Sequence, residues 1–299
     1  MSRHGAPLNA YAAAIAGIAF FSVMDMVMKG LTLAIGTYAT MLWRSMIGVV
    51  LAGGLFLYHR PAWPDAATLK LHVRRGLITT VMALLFFWGL ARVPMAQAVA
   101  LTFIAPLLAL FLAAVLLKEP IGRRTLLGSL AAFAGVAIIF VGQAQSDLGG
   151  QALFGSAALL ASAAIYAYNI VLMRQQALVA RPVEIAFFQN VTVAAALSLA
   201  IPFMGLPPVP ADHAAPLLIA ALLALASMLL LAWSYARAGA AYLSTTEYSS
   251  FLWAILLGWL AFGERVSPFT LAGAALIVAG CIIAARSRPA EHVALEAEA

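Results

Sequence analysis

Apolar runs of about twenty residues recur along the whole chain, each closed by proline, glycine or charge, and this feature restricts the fold most. They fall near 10–31, 38–58, 74–91, 95–117 and 124–142, then near 152–173, 182–204, 214–236, 242–262 and 268–285. The runs are continuous and do not alternate with period two, so they predict helices that cross a bilayer and argue against a β-barrel. Composition agrees, because 65% hydrophobic and 9% charged residues in 299 leave too little charge to solvate a globular surface. The expected fold is an all-α membrane protein of ten transmembrane helices. HRPAWPDAATLKLHVRR (59–75) and GLPPVPADHAAP (205–216) read as the clearest connections. The first run carries Asp25 and Lys29 and is too polar and too long to read best as a cleaved signal peptide.

The basic residues sort by side. Thirteen of them fall on one face of the membrane: Arg3, Arg60, Lys70, Arg74, Arg75, Lys118, Arg123, Arg124, Arg174, Arg181, Arg237, Arg286 and Arg288. The other face receives Lys29, Arg92 and Arg265, while Arg44 lies within the second span. The positive-inside bias then puts both termini in the cytoplasm, as an even number of spans requires. The net charge of +6 is thus accounted for by topology, and no nucleic-acid partner is expected. One cysteine, Cys281, excludes an internal disulfide and a Cys-rich metal site. His4, His59, His72, His213 and His292 all read as connection or tail residues, so neither a histidine metal site nor a histidine proton relay is expected. No cofactor is implied.

A shift of 145 lays WGLARVPMAQAVALTFIAPLLALFLAAVLLKE (88–119) on WSYARAGAAYLSTTEYSSFLWAILLGWLAFGE (233–264) without a gap. Trp88 meets Trp233, Arg92 meets Arg237, Glu119 meets Glu264, and Lys29 falls on Arg174. Thr125, Gly128 and Gly135 meet Thr270, Gly273 and Gly280. The chain therefore divides into residues 1–145 and 146–299, each with five spans. An odd number of spans reverses direction, so the halves are expected to be inverted repeats that rock about a site near the midplane.

Two five-helix halves, each with an Ala-rich fourth helix closing on Glu (LLKE, AFGE) and a Gly-spaced fifth, resemble the EamA-type carriers of the drug/metabolite transporter superfamily. Length and aromatic content are similar to those of the YddG-type exporters of aromatic and other neutral amino acids. The resemblance implies a ten-helix fold and transport. One departure stands out: the mid-helix proline is present as Pro106, but its counterpart is Phe251, which puts a kink shared by both fourth helices in doubt.

Three ionisable residues lie within spans, where a charge costs about 2.5–3.5 kcal/mol on insertion scales and so needs a partner or a task. Asp25 and Arg44 each sit ~9 Å below the outer surface on adjacent antiparallel helices, so they are expected to pair, as a structural tie, a gate or a contact for substrate charge. Lys29, at i+4 from Asp25, competes. Glu247 forms an i, i+3, i+4, i+7 stripe with Ser244, Tyr248 and Phe251, a face that must turn away from lipid. It lines a cavity, bonds to neighbouring helices or snorkels to the surface. Its counterpart is Thr102, with Phe103 beside it. Tyr166, Asn169 and Met173 share helical spacing, while Tyr168 points elsewhere. Trp88 and Trp233 are interfacial anchors or the two mouths of the cavity. Gln97 and its counterpart Tyr242 are cavity or boundary residues. Glu119 and Glu264 read as structural helix ends that pair with nearby arginines.

A lining of rings, hydroxyls and an amide with few charges suits amphipathic solutes, neutral or aromatic amino acids above phosphorylated ones. No GxxxxGK[ST] loop is present to use ATP. The expectation is an inner-membrane, multi-pass carrier that exports small metabolites by alternating access, lies among lipids and is a monomer or weak homodimer. Riboflavin, S-adenosylmethionine or drugs as solutes, and a lipid flippase, remain alternatives. A membrane enzyme lacks its paired aspartates, Ser/His set or metal cluster.

Overall fold

Gly36 joins the first two helices alone. It adopts φ 81, a left-handed conformation that costs glycine little, donates to Thr32 O at 3.0 Å and accepts from Thr40 N at 3.1 Å. α1 (Gly5–Ile35) thus reverses directly into α2 (Thr37–His59). The computed structural model describes residues 5–59, 63–109, 112, 123–144, 149–235, 237 and 246–285.

α3 (Ala66–Leu90) begins eight residues ahead of the expected span, which corrects the reading of 59–75 as a connection throughout. Asp65 explains the early start: its carboxylate accepts the Thr68 amide at 2.8 Å and caps the helix. The basic run from Lys70 to Arg75 is therefore helical. α4 (Met95–Thr102) follows, then α5 (Arg123–Ala144), α6 (Gly149–Val179) and α7 (Pro182–Ser198). A single turn at Ile201–Met204 and a 3-10 turn at Ala211–His213 lead into α8 (Ala214–Tyr235), and α9 (Ser249–Phe262) and α10 (Pro268–Ala285) close the described chain. Among the described residues, six helices are long and apolar enough to cross a membrane, and Met95–Ala109, Ser249–Phe262 and Pro268–Ile283 are shorter apolar helices. The protein is a multi-pass membrane protein. Lys118, Glu119, Tyr242 and Ser244 lie outside the described residues.

The helices pack in a pattern. The most extensive contacts join α5 with α10, α1 with α8, α3 with α6, and α2 with α7. Further ones join α3 with α7, α2 with α8, α1 with α9, α4 with α6, and α4 with α9. Exchanging each helix for the one five places away turns this set of contacts into itself.

Lipid is as apolar as leucine, so contact area alone does not drive helices together and close backbone approach matters. α5 and α10 achieve it with glycine. A Cβ on Gly135 would stand 2.5 Å from Gly273 O, and one on Gly280 would collide with Gly128 O. Numbers rise along α5 as they fall along α10, so these two helices run antiparallel. The interior is built by Met24, Met28, Met41, Leu90, Leu101 and Ile277, while Val50, Leu57, Leu218 and Leu260 are exposed as lipid-facing residues must be.

Candidate functional site

Two helices are interrupted, and the interruptions touch. Pro106 has no N–H to give Thr102 O, so the ladder of α4 loosens just before it. A turn replaces the helix at Phe103–Ile104, the Phe103 N–H is shared between Val99 O and Ala100 O at 3.3 Å each, and Leu108 N to Ile104 O resumes the pattern at 3.0 Å. Ahead of α9, Thr246 and Glu247 are helical, Tyr248 is a turn, and Phe251 N bonds Tyr248 O at 3.3 Å. Phe251, where proline was missing, thus accompanies an interruption all the same. Tyr248 is the counterpart of Phe103 at the 145-residue shift. The two rings meet edge-on, with centroids 5.6 Å apart and planes at 81°, and Phe251 lies 6.3 Å from Phe103. Cys281 Sγ donates to Phe103 O at 3.2 Å, and the Thr102 hydroxyl donates to Val99 O at 2.8 Å.

Near this crossing, polar groups of α3 and α6 approach Glu247, just ahead of α9. The Tyr166 phenol lies within electrostatic reach of both Glu247 and Arg75. Tyr166 is half-buried. Glu247 is exposed. Arg75 was counted in the sequence only for membrane orientation, and its Nε is buried without a partner.

At the other end of the bundle, Glu264 ties the end of α9 to α1 and α4. Gly263, at φ 64 and ψ 21, caps α9 in the left-handed region, and the Glu264 N–H returns to Gly258 O at 3.1 Å. That turn folds the Glu264 carboxylate over Gly258, whose missing Cβ leaves the room, since a Cβ there would stand 2.5 Å from Glu264 Oε2. The carboxylate accepts the Met95 N–H at 2.7 Å, an otherwise unpaired donor at the start of α4. It also pairs with Lys29 Nζ, which donates to Val93 O at 2.7 Å. Glu264 was expected to meet an arginine; its partner is Lys29, which therefore does not compete for Asp25.

Asp25 is buried and Arg44 half-buried, and each feels the other's charge. They form no ion pair within 4.0 Å, which corrects the expected contact. The other expected residues fall in varied surroundings. Gln97 is 4% exposed, and its amide donates to Gln143 Oε1 at 2.9 Å and Ser156 Oγ at 3.1 Å. Asn169 is buried against α3, near Thr79 and Met82. Met173 is exposed. Trp88 and Trp233 each carry an arginine four residues on, Arg92 at 3.5 Å and Arg237 at 4.1 Å from the ring centre. Tyr168 lines an apolar groove of about 630 Å³ between α3 and α6, with Leu77, Val81 and Ile165.

His72 corrects the placement of all histidines in connections or tails. With α3 starting at Ala66, it is buried, stacks on Phe188 at 4.8 Å and bonds Glu184 through Nε2 at 2.9 Å. Gln176 bridges its Nδ1 to Arg75. Arg75 can only donate, so Gln176 Oε1 accepts and its amide nitrogen donates to Nδ1. That leaves Nε2–H to donate to Glu184, and the network assigns the tautomer.

The chain matches the EamA-like transporter family twice, over residues 8–141 and 153–286, segments offset by 145 at both ends. The pseudopaline exporter CntI of Pseudomonas aeruginosa strain UCBPP-PA14 is 26% identical over 90% of this chain and 93% of its own length. The riboflavin transporter of Rhizobium johnstonii is 30% identical over 91% of this chain and 89% of its own. A solved crystal structure superposes with a TM-score of 0.59 at 20% identity, covering 100% of both chains, which is a likeness of fold.

Proposed function

The chain belongs to the EamA-like transporter family, and on that premise we propose that it is an inner-membrane carrier exporting small amphipathic metabolites, neutral or aromatic amino acids foremost. Its ten spans form two inverted five-helix repeats with both termini in the cytoplasm. The observation that carries this reading is the contact of Phe103 with Tyr248, counterparts at the turns of two interrupted helices. A contact between counterparts lies on the axis relating the halves, and broken helices at such an axis are where carriers of this kind bind solutes. The exchange symmetry of the helix contacts and the antiparallel run of α5 and α10 support the inversion.

Alternating access then has a physical basis. The end holding Lys29, Val93, Met95 and Glu264 is closed by charge-assisted hydrogen bonds. The other end presents exposed Glu247 and half-buried Tyr166. A solute enters from the side of Glu247, and the halves rock about the Phe103–Tyr248 crossing as the Lys29–Glu264 tie opens. Rings at the crossing stack on the solute body, and Tyr166, Glu247 and Arg75 line its way in.

Counterflow in proteoliposomes with labelled amino acids, flavins and nucleotides tests this. Accelerated exchange of phenylalanine or another neutral amino acid supports it. Exchange of flavin alone transfers the reading to a riboflavin carrier, the activity named for the Rhizobium relative. Lipid scrambling without solute exchange overturns it.

A further inference from the structure

Asp25 and Arg44 stand on helices joined by one residue, Asp25 buried and Arg44 half-buried. Asp25 Oδ1 and Arg44 Nε have no hydrogen-bond partner. No ion pair within 4.0 Å joins the two groups, although each lies within electrostatic reach of the other. Opposite charges attract several times more strongly in a low-dielectric interior than in water. A ligand that donates to Asp25 and accepts from Arg44 would satisfy both groups.

The groups around the pair limit what a ligand there can be. Arg44 is half-buried, so part of its side chain stays accessible. Thr40 precedes Arg44 by one turn and Thr32 follows Asp25 by two, and both hydroxyls are also unpartnered. A solute with a single charge would leave the opposite group buried and unmatched. One that carries both charges on neighbouring atoms satisfies both at once, its ammonium on the carboxylate and its carboxylate on the guanidinium fork.

We infer that Asp25 and Arg44 form the head-group site for a zwitterionic solute, an α-amino acid or close derivative, with ammonium on Asp25 and carboxylate on Arg44. The inference rests on the carrier reading above and names the chemistry its solute must carry.

The test is phenylalanine counterflow in proteoliposomes, with phenethylamine (no carboxylate) and 3-phenylpropanoate (no ammonium) as competitors. On the wild-type protein each analogue competes more weakly than phenylalanine by on the order of 10- to 100-fold, the worth of one charged hydrogen-bonded contact. Asp25→Asn removes the handicap of 3-phenylpropanoate alone, and Arg44→Gln removes that of phenethylamine alone. A pair that merely ties two helices or holds a water would show variants that weaken all three solutes equally, and this overturns the proposal. Analogues that compete as well as phenylalanine on the wild type overturn it without any variant, which covers a variant that fails to fold. Flavin exchange with no amino-acid exchange overturns the head-group site and leaves the carrier standing. No exchange of any solute overturns both.

Discussion

If the tie at Lys29 and Glu264 is a closure, weakening it should shift the protein between states by a calculable amount. Glu264→Gln keeps the shape and removes the charge. Lys29 is 4% exposed, and the change removes its counter-charge. The amide offers one oxygen to two donors, so either Lys29 Nζ or Met95 N–H loses its acceptor there. Breaking a buried pair by removing one partner costs about 3–5 kcal/mol. Only the part absent from the open state shifts the equilibrium. Taking ~3 kcal/mol, the closed-to-open ratio falls roughly 100-fold. Ala98, fully buried one turn inward of Met95 on α4, reports the change once replaced by cysteine. Cys281, the one native cysteine, is first changed to serine, which keeps a donor for Phe103 O. A membrane-impermeant maleimide applied outside should then label Ala98→Cys about 100-fold faster in the Glu264→Gln protein. Equal labelling rates in two equally stable proteins would refute the reasoning and reduce the pair to a structural tie.

Three further outcomes are expected. Glu247→Gln should lower transport or flatten its pH dependence, and unchanged uptake with an unchanged pH response would remove Glu247 from the mechanism. Gly135→Ala drives a methyl against Gly273 O and should destabilise the bundle by ~1–3 kcal/mol, read as a lower unfolding midpoint in detergent; no shift would show that α5 and α10 can separate freely. Hydrogen bonds from Thr68, its hydroxyl first and then its amide, hold the exposed Asp65 carboxyl below its ordinary value. The contribution of Asp65 is present above the unfolded carboxylate pKa and lost as pH falls through the lower folded one. The midpoint difference between wild type and Asp65→Ala should therefore shrink on acidification, and a difference constant through the carboxylate range would exclude a charged cap.

Helix positions were legible because one signal, an uninterrupted apolar run, decides them. α2, α5 and α10 begin and end within two residues of the expected spans. The start of α3 was missed because a basic run from Lys70 to Arg75 reads as solvent-facing, although Asp65 and Thr68 carried a capping signal. His72 went with it. Residues on one helical stripe did not share surroundings either. Asn169 is buried against α3 and Met173 is exposed, because neighbours rather than spacing decide what a face meets. Glu264 finds Lys29 across 235 positions, and nothing local marks the partner. Pro106 flagged one interruption; the one at Tyr248 has no proline, and only the repeat points to it.

The glycine seam between α5 and α10 has one more consequence. Gly128 faces Gly280 and Gly135 faces Gly273, so the 145-residue shift maps the two contacts onto each other. Such a contact is isologous: either partner could be replaced by a copy of the other. A half-length polypeptide inserted in both orientations would carry everything needed to dimerise through this seam. Fusion of two such genes would then have frozen a pre-existing dual-topology homodimer rather than created a new interface.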